Sequence, residues 1–256
     1  MIHPGAIVHP RAQLGSNVSV GPYSVIGEHV QIGDGTSVGA HVVIDGHTRI
    51  GKGNQVFQFC SLGAAPQDKK YAGEVTRLEI GDGNTLREFC TINCGTVQDA
   101  GVTRIGSDNW IMAYVHIAHD CRIGDHAIFA NNAQLAGHVH VDDYAILGGF
   151  TGVHQFVHVG AHSFTAIATV LVHDLPPYIM AAGNTARAHG LNSEGLRRRG
   201  FSAAALAEIK RAYKTLYRSG LTLEQAKSRL AQQAEACAEV KLFAEFLQRS
   251  TRGIVR

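Results

Sequence analysis

The sequence predicts a mainly β chain: a parallel β-helix of hexapeptide repeats followed by a small α-helical C-terminal domain. Two observations carry this. Aliphatic residues recur every sixth position over most of the chain, and that period stops at Leu175-Pro176, beyond which the pattern turns helical.

The period begins at the first residues, with Ile2, Val8, Leu14, Val20, Ile26, Ile32, Val38, Ile44, Ile50, Val56 and Leu62 in register. Neither a helix (period 3.6) nor an ordinary strand (period 2) explains it. Six fits a triangular coil whose sides are each one hexapeptide, so that three repeats make a coil of 18 stacked at about 4.8 Å. Small residues follow the aliphatic, as in Val20-Gly21 and Ile32-Gly33. Glycine there is expected to turn the corner and to tolerate φ > 0.

Two interruptions break the count. The pattern is lost in Ala64–Gly73 and resumes at Ile80, Leu86 and Ile92; then Val97–Arg104 shifts the register by one before Ile105. These read as loop insertions near 64–79 and 97–104. Such insertions in solenoids gather on one face, where binding occurs, which draws attention to Asp68 and Lys70. A second run then continues from Ile105 through Ile111, Ile117, Ile123, Phe129, Leu135, Val141, Leu147, Val153, Val159 and Thr165 to Leu171.

Proline removes ladder donors, so Leu175-Pro176-Pro177-Tyr178 closes a solenoid over 1–185. A linker through Gly183, Gly190 and Asn192 leads into a helical region over 186–256. Ser202 caps a helix over Ala203–Ser219 with Gly220 as its C′ residue. Thr222 and Gln225 form a capping box, and a last helix covers Val240 to Arg249. This region is expected to cover a strand edge at one end of the solenoid.

Composition bounds the function. No run reaches the roughly 18 apolar residues of a membrane span, and the start, MIHPGAIVHP, lacks a secretory signal. Five cysteines without CxxC spacing argue against a disulfide framework and fit a reducing cytoplasm. The net charge of +2 is divided unevenly: residues 197–256 carry 13 Lys/Arg against 5 Asp/Glu, a balance of +8. Nothing points to nucleic acid or an integral membrane segment.

The second run holds the densest histidines: His116, His119, His138, His140, His154, His158 and His162. An 18-residue coil stacks His119, Gly137, Gln155 and His173 in one column, with His138 and His154 beside it and His116 at the preceding corner. Five polar groups (His116, His119, His138, His154, Gln155) then converge within about 10–15 Å, a setting for binding or for acid–base work by a group whose unperturbed pKa is about 6.5. One exposed histidine is unremarkable on a polar face; the cluster favours chemistry. Three-His zinc binding is the alternative, with His116 and His119 or His138 as ligands. Strand alternation aims His119 and Asp120 apart unless a corner intervenes.

Several motifs together resemble a known family: HIAHDC (His116–Cys121), the Asn131–Asp143 stretch, VHQF (Val153–Phe156), GLRRRGFS, QDKKYAGE and the closing STRGIVR. They look like the UDP-N-acetylglucosamine O-acyltransferases of lipid A synthesis, the first acyltransferases of lipopolysaccharide assembly, and the match runs end to end. The resemblance implies a homotrimer of left-handed parallel β-helices, an exception to right-handed crossovers. It implies transfer of an R-3-hydroxyacyl chain from acyl carrier protein, bearing phosphopantetheine, to the 3-hydroxyl of UDP-N-acetylglucosamine. No cofactor or metal of the protein's own is implied.

Carried onto this chain, the resemblance makes His119 the general base, Asp120 its orienting partner and Gly137 the oxyanion donor. Asp68, Lys70, His116, His138, His154 and Gln155 would contact the sugar nucleotide or acyl group. Asn192, Glu194, Arg198 and Arg199 would hold the uridine diphosphate, often from a neighbouring subunit; without the resemblance, Arg197–Arg199 read as a solvated helix start. The basic C-terminal surface would favour the acidic carrier protein. Two departures stand out. Asn93-Cys94 occupies a stretch where the family has a basic residue, leaving Cys94 as a candidate reactive thiol. Ile167 stands at the family's acyl-length gauge, where a branched side chain shortens the pocket toward about ten to twelve carbons. Residue patterns alone admit either a 3-hydroxyl or a 3-amino acceptor. Rival classes are a zinc-dependent, carbonic-anhydrase-like hexapeptide enzyme and a non-catalytic scaffold.

Overall fold

A computed structural model describes residues 1–256. The architecture is a left-handed parallel β-helix followed by α-helices, with three sheets of nine, eight and ten strands forming the sides. Most strands are two residues long, and each pairs with the strand one coil later: Ile7 with Val25, Gln13 with Gln31, Ser19 with Ser37. The residue four after each repeat aliphatic also turns inward. Val18, Ser24, Val30, Thr36, Val42 and Thr48 are all buried, so every hexapeptide sends one side chain from the strand and one from the corner into the core.

The two interruptions are explained by coil length. Across the first, His47 pairs with Arg77, a coil of 30; across the second, Arg77 pairs with Val102, a coil of 25. The first exceeds 18 by twelve, two whole hexapeptides, so Leu62 and Ile80 stay in phase. The second exceeds it by seven, and the register slips by one. Both loops leave from one edge of the prism, between the strand ending at Ala64 or Asn93 and the one starting at Arg77 or Val102. That edge also carries residues 118–121, 136–139 and 154–157.

Glycine acts otherwise than expected at the corners. Positive φ falls two residues after the small position, mostly on Asn, Asp, His, Tyr and Phe, for example Asn17, Tyr23, His41, Asp120 and His138. The small residue is needed because coils approach closely: a Cβ on Gly21 would lie 2.6 Å from the Gly39 carbonyl carbon. Left-handed backbone costs a non-glycine residue about 1–2 kcal/mol. Stacking recovers much of this, since Tyr23, His41, Phe59, Phe89 and Tyr114 form a ladder with centroids 4.7–5.2 Å apart, each pair contributing about 0.5–1.5 kcal/mol.

Inside another corner runs a ladder of buried amides. Asn84 donates its backbone N–H and Nδ2 to Asn54 Oδ1, and Asn109 does the same to Asn84 Oδ1. The Nδ2 groups of Asn54, Asn84 and Asn109 also donate to the carbonyls of Gly81, Gly106 and Gly124, so these buried amides pair with neighbouring coils.

The repeat shortens at its end. Val159 pairs with Leu175, a coil of 16, so His173 leaves the column in which His119, Gly137 and Gln155 stack. The stretch read as a linker is an antiparallel pair, Ile179–Ala182 with Arg187–Leu191. Four helices follow: α1 (Ser193–Arg198), α2 (Ala203–Tyr217), α3 (Leu223–Ala234) and α4 (Ala238–Arg249). Ser202 caps α2 and Thr222–Gln225 form the capping box of α3. The helix expected to start at Arg197–Arg199 instead starts at Ser193 and ends at Arg198, and Gly220 lies one residue beyond the expected C′ position because α2 ends at Tyr217. The chain then returns to the solenoid: Ile254 bridges Asp174, and Ser250 Oγ donates to Asp174 Oδ2. No helix is long and apolar enough to cross a membrane.

Candidate active site

His119 and Asp120 occupy the prism edge from which both loops emerge. Asp120 adopts φ 59°, and this left-handed corner cancels the strand alternation that would separate the two side chains. His119 Nδ1 lies 2.8 Å from Asp120 Oδ2. The carboxylate is 1% exposed and firmly held: Thr96 N–H donates to Oδ1 and Thr96 Oγ1 donates to Oδ2, while Asp120 N–H donates to Thr103 Oγ1. A carboxylate accepts only, so the proton between the pair sits on His119 Nδ1, and neutral His119 keeps its lone pair on Nε2.

Gly137 lies one coil along, against that ring. A Cβ there would fall 2.5 Å from His119 Cε1 and 2.7 Å from Nε2, so only glycine leaves the imidazole its place. The Gly137 carbonyl accepts from Phe156 N–H, while its own N–H makes no hydrogen bond within the chain, as at His119 and Gln155.

The loops wall a cleft of about 610 Å3 over this edge. Asp68 and Lys70 reach it from the first loop, and His119, His138 and Gln155 from three successive coils. Gln67, Lys69, Gln98, Asp99 and Phe156 line it too. None of these five was singled out from the sequence, although Gln98 and Asp99 lie in the second insertion and Phe156 in the VHQF motif. His138 stacks on Phe156 at 4.5 Å and meets His119 edge-on at 5.1 Å. Its Nδ1 is 2.9 Å from Asp99 Oδ2, and this hydrogen bond holds the Asp99 carboxyl below the usual carboxylate range.

Other expected residues stand apart within one chain. His116 is half-buried on a strand with Nδ1 2.8 Å from Thr91 Oγ1; burial lowers its pKa. His154 sits beside the cleft, its Nδ1 3.1 Å from the Gln155 carbonyl and 3.5 Å from Arg252. Asn192 caps α1 and donates to the His162 carbonyl. Glu194 pairs with Arg197 and Arg198. Arg199 donates to the Tyr144 carbonyl and lies over the Tyr144 ring at a different edge of the prism. Ile167 is 72% exposed on the corner that carries Ala168, also away from the cleft.

Cys94 is not the reactive thiol anticipated. It is buried, its Sγ donates to the Gly63 carbonyl, and burial pushes its pKa up to about 11, which disfavours the thiolate that reactivity requires. His119, Asp120 and His138 bring ligand atoms within 4.8 Å of one another, a group that leaves out His116.

Comparisons with known proteins agree with one another. A family profile described as Udp N-acetylglucosamine O-acyltransferase, domain 2, matches residues 174–255, and one described as bacterial transferase hexapeptide (six repeats) matches residues 11–46 and 103–137. A Thiobacillus denitrificans protein named acyl-(acyl-carrier-protein)–UDP-N-acetylglucosamine O-acyltransferase is 69% identical, covering 100% of this chain and 99% of its own. One of the same name from Janthinobacterium is 62% identical with the same coverage. The crystal structure of the Francisella novicida UDP-N-acetylglucosamine acyltransferase superposes with TM-score 0.99 at 44% identity, over 100% of this chain and 94% of that one. An Acinetobacter baumannii structure gives 0.96 at 47%, over 100% and 99%. Neither a zinc hydratase nor a scaffold finds support among them. With relatives this similar over its whole length, the chain belongs to the acyl-(acyl-carrier-protein)–UDP-N-acetylglucosamine O-acyltransferase family.

Proposed function

We propose that this protein transfers an R-3-hydroxyacyl chain from acyl carrier protein to the 3-hydroxyl of the glucosamine of UDP-N-acetylglucosamine, the first step of lipid A biosynthesis. One observation carries the chemical part: a His119 whose Nδ1 is committed to the buried Asp120, at the foot of a cleft walled by Asp68 and Lys70. In this reading the substrate oxygen attacks the thioester carbon while its proton passes to His119 Nε2. Asp120 stabilises the imidazolium formed, as an orienting carboxylate does. The Gly137 N–H supports the oxyanion. On collapse the C–S bond breaks, and the carrier thiolate takes the proton back from Nε2, leaving free thiol and neutral base. No resident metal or cofactor is needed for this balance.

The remaining assignments fit an assembly of three copies. Asn192, Glu194, Arg198 and Arg199 lie away from their own chain's cleft, and Tyr23, Phe59, Phe89, Tyr114 and Phe150 leave apolar surface exposed along one edge. A homotrimer would cover that edge and could bring the Arg198 and Arg199 guanidinium groups to a neighbour's pyrophosphate. His116, His138, His154 and Gln155 would complete the contacts to sugar and acyl group, Ile167 would limit acyl length, and the basic helices would receive the carrier protein. A cytoplasmic location suits these substrates. The deciding experiment incubates purified protein with a panel of 3-hydroxyacyl carrier proteins and UDP-N-acetylglucosamine or its 3-amino analogue, with products read by mass spectrometry. Failure to acylate the 3-hydroxyl sugar nucleotide would overturn the proposal.

A further inference from the structure

We infer that Asp99 is a positioning residue that makes His138 half of a second histidine–carboxylate pair beside the first; this rests on the reading of His119 and Asp120 as the reacting pair. Asp99 sits in the second loop, away from any helix or strand. Its Oδ2 lies 2.9 Å from His138 Nδ1 and its Oδ1 lies 3.3 Å from Arg122. Arg122 is anchored on the strand that follows the His119 corner, so the loop is tied to the solenoid through Asp99 at two points.

The chemistry follows from what each atom can do. A carboxylate accepts, so the His138 Nδ1 carries the proton, and Nε2 alone is left free to act. Nε2 lies 3.9 Å from Asp120 Oδ2, the oxygen that already accepts from Thr96 Oγ1 at 2.6 Å and faces His119 Nδ1 at 2.8 Å. Arg122, Asp99, His138, Asp120 and His119 are therefore successive neighbours, hydrogen-bonded at every step except the 3.9 Å one from His138 to Asp120. The Phe156 face fixes the second ring in plane, 14° from parallel. Of the other charged groups, Asp68, Lys69 and Lys70 share the cleft from the first loop. Asp99 thereby sets which nitrogen of His138 acts in the cleft, and adds a negative charge to the electrostatics felt by the reacting pair.

Two variants separate orientation from charge. In Asp99→Ala both are lost, and kcat/KM should fall by about tenfold, the scale of one charged hydrogen bond. The acid limb of its kcat/KM–pH profile should move to lower pH, because removing a neighbouring carboxylate disfavours imidazolium. In Asp99→Asn the amide oxygen still accepts from Nδ1–H, so kcat/KM should recover most of the loss while the acid limb stays displaced. An unchanged rate and profile in Asp99→Ala overturns the inference. So does an equal fall in both variants with an undisplaced profile, which a merely structural loop contact would produce. Circular dichroism and Tm accompany each variant. His119→Ala distinguishes the layers: if it abolishes turnover while the Asp99 variants behave like the native protein, this inference alone fails; if it retains turnover, the reading of the reacting pair fails beneath it.

Discussion

At the scale of single residues, the site depends on a backbone angle. Asp120 at φ 59° is what lets consecutive side chains face each other, and the two threonines at 96 and 103 absorb its remaining hydrogen-bonding capacity. The proposal that this preorganised imidazole is the general base makes His119→Ala the first variant to examine. Turnover should drop at least about 10²-fold, the usual loss of a general base, with the far-ultraviolet spectrum unchanged. Gly137 tests the packing behind it. An alanine there would meet the imidazole at 2.5 Å, so Gly137→Ala should displace the ring and lower kcat by about tenfold or more, since misplacements near 1 Å can cost 10²-fold. An alanine variant with native kcat would show that the ring has room to move. Ile167 tests length selection: Ile167→Gly should shift the preferred acyl chain upward by two or more carbons, on the order of 0.8 kcal/mol per methylene regained, in competition assays between carriers of different length.

At the scale of elements, the solenoid is stabilised by columns that run across coils. The stacked rings along one edge offset left-handed corners, and the amide ladder satisfies polar groups that the core would otherwise strand. Asn84 is its middle rung. Its replacement by alanine leaves the Asn109 backbone N–H without its acceptor, which should cost about 1–3 kcal/mol. A urea titration should register this as a lower midpoint with little change in slope. Loops obey the same coil logic: an insertion of twelve preserves the phase and one of seven breaks it, so the two loops differ in sequence signature while leaving from one edge.

For the molecule as a whole, the C-terminal return joins its two regions. Ile254 and Val255 are buried, Asp174 is 2% exposed, and Tyr217 Oη donates to the Val255 carbonyl. Deleting residues 250–256 removes these at once. Stability should fall by at least about 3 kcal/mol, from two buried aliphatic side chains and unpartnered polar groups at Asp174. Chemical denaturation of the shortened chain against the full one measures it, and an unchanged midpoint would mean the return is ornamental.

Much of this was legible in the order of residues. A period of six is a local property, repeated often enough that the coil, its inward-facing residues and the shared edge of His119, Gly137 and Gln155 follow from counting. The capping residues Ser202 and Thr222 announce their helices because a cap is made by neighbours in sequence. Other features depend on contacts between distant segments. Asp99 is one polar residue of an irregular loop, and only the fold carries it to His138, 39 positions away. The burial of Cys94 depends on coils it does not border in sequence, and the departure of His173 on a coil that closes in 16 residues. Periodicity determined the scaffold, because each repeat meets the same neighbours; tertiary structure decided which loop residues enter the cleft, because irregular loops have no period to count.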